Sequence, residues 1–427
     1  MSKKSLPSII LGAISVFALA TIIAFLIPGI RERILWRVDE WRVRIDYALN
    51  PPEKSIFVPE TVVTVNPLPS ATPTHTPTPT QTLEASVATP TLLPTATPLP
   101  ASIKLDGIRY MDQHGLWNYC APATLAMQLS FWGWQGDRED AGQILKPFEK
   151  DKNVMLYEMA DFVETQTEYR AILRSGGTIP LLKRLIANGF PVLVEKGVFI
   201  RDVSGKNSWM GHYAILNGYD ESKSEFLTQD SYFQPDYPLS FINLEQEWRA
   251  FNYVFLVVYT SDKEADLMAL LQEYSDENQA NQIALNKAGE EIYSTEGSEN
   301  FFSWFNRGTS LVQLQDYAGA AEAYDIAFQV YAKIPENQRP WRTTWYQTGP
   351  YFAYFYTGRY QDVINLTSLT IDSATEPYLE ENFYWRARAN IALGNTQTAI
   401  ADLRTSLEYH PDFPPSVVML QQLGIAP

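Results

Sequence analysis

The rhythm of apolar and polar positions changes along this chain, and each change predicts a different kind of element. From Ser5 to Ile30, 26 residues carry no charge, enough for about 39 Å of helix at about 1.5 Å per residue, which spans a bilayer. The run is longer than a signal-peptide core, and Leu26-Ile27-Pro28-Gly29-Ile30-Arg31 has no small-x-small cleavage site, so an uncleaved anchor over 5–30 is expected. In the juxtamembrane segment 31–60, apolar Ile34, Leu35, Trp36, Val38, Trp41, Val43, Ile45 and Tyr47 interleave with Arg31, Arg33, Arg37, Arg42 and Arg44. That pattern suits an amphipathic helix on a membrane surface.

Between residues 101 and 260 the period alternates between helix-like and strand-like. Helical patterns run from Cys120, over Asp137–Phe148 and Leu156–Gln166, and from Ile179 to Asn188, where Gly189 marks the stop. Strand patterns fall at Tyr169–Ile172, Pro191–Glu195, Gly211–Asp220, Glu225–Ser231 and Tyr253–Tyr259. His212 is expected to open its strand, and the ten residues from Asp220 to Asp230 suit a hairpin of adjacent strands. The order predicts an α+β domain in which an antiparallel sheet faces the Cys120 helix.

From Ser261 to Pro427 the pattern is helical, and a repeat emerges. Trp304, Gly308, Ala320, Tyr324 and Ala327 fall on tetratricopeptide-repeat positions, and Phe383, Ala387, Gly394, Ala399, Leu403 and Pro411 repeat the spacing. Tyr351, Gly358 and Val363 mark a degenerate copy between them. A helix over Lys263–Thr295 is expected to pack on the first repeat or to join it to the preceding domain. Stacked helix pairs offer a concave surface for a protein partner, the alternative being an inert spacer.

Composition alters this picture at two places. Between Thr61 and Pro100, twelve threonines and nine prolines leave no Lys or Arg. Such a tract cannot build a core and is expected to be an extended, disordered stalk. The charges flanking the anchor leave its orientation open, and the stalk favours an extracytoplasmic location for the bulk of the chain. The net charge of −16 argues against a nucleic-acid partner, and 22 of the acids against 10 basic residues lie beyond Ser261.

Candidate chemistry centres on Cys120, the single cysteine. A thiol at a helix N-terminus faces the positive end of the dipole, which favours the thiolate. His212 and Asp230, on neighbouring strands, supply an imidazole and a carboxylate to hold its tautomer. Gln113 offers a side-chain amide for an oxyanion, beside the backbone N–H of Cys120. His114 is the rival base but has no strand to fix its ring, and His75 and His410 read as solvated. Nothing has metal-ligand spacing, and no cofactor is expected.

Gln113, Cys120 with Pro122 and Ala123, the helix Thr124–Ser130 closing on Phe131-Trp132-Gly133, Gly211-His212 with Asn217-Gly218-Tyr219-Asp220, and Asp230 together resemble the papain-like cysteine peptidases that remove double-glycine leader peptides from bacteriocins. The resemblance covers Ile103 to Tyr259. It implies Cys120 as nucleophile, His212 as base and acid, Asp230 as its orienting partner and Gln113 as oxyanion donor, acting on a peptide or protein substrate. The family usually has glycine where this chain has Ala121, and its transporter-fused members carry a phosphate loop that is missing here. Those departures leave a silent peptide-binding or scaffolding protein as the alternative. Acyl transfer to an amine would use the same residues.

Overall fold

The computed structural model describes residues 28–60, 98–148, 151–202 and 204–427. The expected anchor up to Ile27, His75 and the Thr/Pro tract over 61–97 lie outside the described residues. No helix among the described residues is long and apolar enough to cross a membrane.

A seven-stranded antiparallel sheet organises the first part. Its path is β2 (Arg170–Arg174), β7 (Phe255–Tyr259), β3 (Val192–Arg201), β4 (Asn207–Asp220), β5 (Glu225–Gln229) and β6 (Tyr237–Ser240), with β1 (Ser102–Lys104) on the end of β4. Neighbouring residues of a strand face opposite sides, so β3 and β7 serve two cores at once. Leu193, Leu256 and Val258 pack with Tyr213 against α2 (Cys120–Phe131) and α4 (Leu156–Gln166). Val192, Val194, Phe255 and Val257 pack against α5 (Ile179–Ala187) and α6 (Phe241–Arg249). Burial on both faces explains the near-continuous apolar runs of these strands. A shorter helix, α3 (Arg138–Leu145), starts on an Asp137 capping box between α2 and α4.

Two strands are longer than their patterns predict. β3 continues through Lys196-Gly197 to Arg201, and β4 begins at Asn207, so His212 lies well inside the strand rather than at its start. The added lengths pair with each other, and Trp209 is buried by the helices that follow the sheet.

The expected helix over 263–295 is also broken. α7 (Glu264–Leu271) ends at Gln272, whose φ is +54°, and α8 (Glu277–Glu291) starts after Asp276 accepts from the Gln279 N–H. Leu267, Leu271, Tyr274 and Ala280 belong to the sheet's second core, while α8 packs along α9 (Gly297–Gln313). The segment therefore joins the two parts.

Three helix pairs follow: α9 with α10 (Tyr317–Tyr331); then, after the short α11 (Thr343–Tyr346), α12 (Gly349–Tyr356) with α13 (Tyr360–Asp372); and α14 (Glu380–Ala392) with α15 (Thr396–Tyr409). A last helix, α16 (Pro414–Gln422), closes the chain. Gly308 shows why a small residue is needed between paired helices, since a Cβ there would meet the Tyr324 ring at 2.7 Å. His410 is not simply solvated: its Nδ1 lies 2.8 Å from Glu380 Oε1.

The two parts share a core. Trp209 and Phe251 of the sheet domain pack with Phe301, Phe302, Phe305 and Tyr324, and Trp209 lies between Phe251 and Phe302 at centroid distances of 5.8 and 5.6 Å. A buried Arg342–Asp202 ion pair of 2.8 Å crosses the same interface.

The segment expected to lie beside a membrane is docked as well. It forms α1 (Pro28–Leu49), and Phe57 then inserts beside Phe328 and Tyr354 while the Glu60 N–H donates to Asp362. The Thr/Pro tract thus leaves from α13 and returns to the sheet at β1. Its two flanks, Glu60 and Ser102, rest on the described fold.

Candidate active site

Cys120 is the first residue of α2, reached through Asn118 in a left-handed turn (φ +49°) and Tyr119, whose side chain makes no capping hydrogen bond. Pro122 sits in the first turn, where a missing N–H costs nothing. Every residue from Ala121 to Leu129 is buried, so α2 is a core helix that is apolar all round. Gln128, the polar exception toward its end, donates to the Pro191 carbonyl at 2.8 Å. This packing fixes the helix, while Cys120 itself remains partly exposed.

His212 and Asp230 meet across the β4–β5 hairpin. The register pairs Ile215 with Gln229, so Asp230 is one step beyond the ladder and diagonal to His212 on the same face. His212 Nε2 lies 2.7 Å from Asp230 Oδ1. That oxygen also accepts from the N–H groups of Tyr232 at 3.0 Å and Phe233 at 3.2 Å. With Nε2 so engaged, Nδ1 is the ring nitrogen left for Cys120, which lies near enough to His212 to help raise its pKa.

Burial opposes a charged His212, but the Asp230 charge and hydrogen bond, with a smaller contribution from Cys120, raise its pKa to about 9. Burial likewise pushes Asp230 up, and the His212 and Lys196 charges with the His212 hydrogen bond bring it down to about 2. Each group holds the other ionised.

Lys196 was not singled out in the sequence. It stands opposite His212 in the β3–β4 ladder, 1% exposed, with Nζ 3.6 Å from Asp230 Oδ2 and 3.0 Å from Glu247 Oε2. Asp230 Oδ2 makes no hydrogen bond among the described residues, so the Lys196 charge is what compensates it. The only cue in the sequence was a charged residue inside an apolar strand run.

Gln113 is tied to the residue after Asp230. Its N–H donates to the Ser231 carbonyl at 2.9 Å, and its Oε1 accepts from Ser231 Oγ at 2.9 Å. Engaging the oxygen turns the amide nitrogen to the other side. Arg138 holds the same loop through Asp112 Oδ1 and the His114 carbonyl, both at 3.2 Å. His114 is largely exposed, beside Asp112 and the Tyr232 ring, and Tyr232 is also the ring next to His212, at 6.2 Å.

Tyr346, from the helical part, reaches the same neighbourhood. Its ring lies 3.2 Å from where a Cβ on Gly211 would stand, directly before His212. Trp209 and Tyr213 are core residues, and Trp117 stacks on Trp36 of α1. Ligand-type atoms of Glu158, Glu380 and His410 come within 4.8 Å of one another, but this group includes none of Cys120, His212, Asp230 and Gln113.

Residues 105–255 match the model of the Peptidase_C39 like family. No curated protein matches the chain. Among solved structures, a Bacillus anthracis protein proposed to be a C39-like peptidase aligns with 15% identity and a TM-score of 0.31, over 37% of this chain and 98% of that one. By the family match, the sheet domain that carries Cys120, His212 and Asp230 is similar to the Peptidase_C39 like peptidases.

Proposed function

We propose that the protein is a membrane-anchored, surface-displayed cysteine peptidase that hydrolyses peptide bonds through Cys120, His212 and Asp230. The observation that carries the reading is the buried 2.7 Å His212–Asp230 contact beside a partly exposed thiol at a helix N-terminus. In this reading Cys120 Sγ attacks the substrate carbonyl carbon and its proton resides on His212. The oxyanion takes hydrogen bonds from the Cys120 N–H and the Gln113 amide. Collapse breaks the C–N bond, and the leaving amine takes the proton from His212. Water then adds to the thioester, giving its proton to His212, and the acid departs as Cys120 is restored. Asp230 keeps the imidazole oriented and stabilises its charged form.

The helical part is proposed to be a tetratricopeptide-like module that binds a protein partner, on the strength of its three helix pairs and their small contact residues. The N-terminal apolar run is proposed to hold the chain in a membrane with the enzyme outside the cytoplasm.

The test is to incubate the detergent-purified full chain with a diverse peptide mixture and identify new termini by mass spectrometry. Cleavage that disappears in Cys120→Ala supports the peptidase. An identical product profile from parent and variant rejects it and favours the peptide-binding alternative.

A further inference from the structure

α1 has two opposite faces, and only one of them is used by the protein. The inner face carries Trp36, stacked on Trp117 at 3.9 Å, and Val43 and Tyr47, packed with Trp341, Trp345 and Leu379. Asp46 accepts from Thr375 Oγ1 at 2.9 Å on the same side. The outer face carries Leu35, Val38, Trp41, Ile45 and Leu49, which are 45%, 56%, 65%, 56% and 74% exposed. Spacings of three, three, four and four residues put these five on one stripe about 120° wide, centred opposite the inner face.

We infer that this stripe rests on the surface of the lipid bilayer, with Trp41 midway along its length, so that α1 seats the domain directly on the membrane. Three observations favour lipid as the occupant. The uncharged run Ser5–Ile30 ends three residues inside α1, so the helix begins where the proposed span leaves the bilayer. Arg37 and Arg44, both paired with Glu40, border the stripe on one side, and Arg42, paired with Glu376, lies within it between Leu35 and Leu49; their side chains remain 73%, 44% and 60% exposed. Exposed arginine side chains among and beside an apolar stripe that contains a tryptophan match an interfacial helix. Finally, the Thr/Pro tract starts and ends on the folded body, so the proposed span connects to that body through α1 alone.

The inference rests on the membrane-anchor reading and deepens it. Trp36 stacks on Trp117, three residues before Cys120, and a helix with its side chains is about 10 Å thick. The candidate active site is thereby held close to the bilayer, within reach of polypeptide at the membrane surface.

The test uses the full chain with Cys120→Ser, reconstituted in phosphatidylcholine–phosphatidylglycerol vesicles. Single cysteines are introduced by Val38→Cys, Trp41→Cys, Ile45→Cys or, as the aqueous control, Ile242→Cys on α6, which is 70% exposed. Each carries a nitroxide, and relaxation by oxygen is compared with relaxation by a water-soluble nickel chelate. At 38, 41 and 45 oxygen is expected to dominate, with the order reversed at 242. Labels at 38, 41 and 45 that respond to nickel as strongly as the one at 242 overturn the inference, as do labels shielded from both reagents and broadened by a second copy. In these outcomes the chain still floats with the vesicles. A chain that does not float overturns the anchor itself, and the seating with it.

Discussion

His212 Nε2 lies 2.7 Å from Asp230 Oδ1, and the two side chains are 1% and 0% exposed. A charge pair so isolated from water persists over a wide pH range. Asp230, depressed to about 2, contributes stability above its unfolded value near 3.8, which is lost as pH falls through about 2. His212, raised to about 9, contributes stability below its unfolded value near 6.5, which is lost as pH rises through about 9. In the parent, imidazole NMR should show one ring titrating near 9. In Asp230→Asn that midpoint should drop to or below the ordinary histidine range of about 6.5, because burial then acts without the carboxylate.

Lys196 acts through this pair as a positioning residue. Lys196→Met removes the charge facing Asp230 Oδ2 and Glu247, leaving Asp230 with His212 as its one charged partner among the described residues. The expected result is a clear drop in denaturation midpoint together with an upward move of the His212 titration, since the Lys196 charge now lowers it. An unchanged His212 titration in a destabilised but folded variant would reduce Lys196 to a packing role.

Gln113 and Ser231 form a unit. Gln113→Ala should reduce kcat about 10²–10³-fold with little change in KM, the usual effect of losing one oxyanion donor. Ser231→Ala frees Gln113 Oε1 and should produce a smaller loss of the same kind. A Gln113→Ala variant that changes KM alone would remove the residue from the oxyanion role.

Glu195, paired with Tyr213 on the other face of the sheet, is held up to about 8 by burial against the Tyr213 hydrogen bond. It therefore stays protonated in the folded chain over a range in which the unfolded chain has released its proton. Its contribution to stability is present below about 4.5 and is lost as pH rises through about 8. Glu195→Gln should flatten the fall in denaturation midpoint across that window, and parallel curves for parent and variant would contradict the assignment.

The candidate Cys, His and Asp could be read from the sequence because each lies where an apolar pattern begins or ends, although the strand that carries His212 starts five residues earlier, at Asn207. α4 likewise matches its predicted span, Leu156–Gln166, because its apolar positions follow a clean helical period. What could not be read depends on cross-chain partners. Nothing local says that Lys196 lies opposite His212, that Ser231 captures Gln113, or that Tyr346 packs over Gly211. The extra length of β3 and β4 comes from their mutual pairing and from the burial of Trp209 by the helix pairs. The break at Gln272 has neither Gly nor Pro to announce it. α1 carries apolar residues on two opposite faces, and only the packing of Trp36 and Tyr47 distinguishes its protein face from its free one.

The most direct test of the central claim is the rate at which iodoacetamide labels Cys120 in the full-length chain, measured across about pH 4–9 for the parent and for His212→Ala. The account predicts rapid labelling well to the acid side of about pH 8, lost in the variant, as an activated Cys120–His212 pair requires. Slow labelling with the same ordinary thiol profile in both proteins would contradict it.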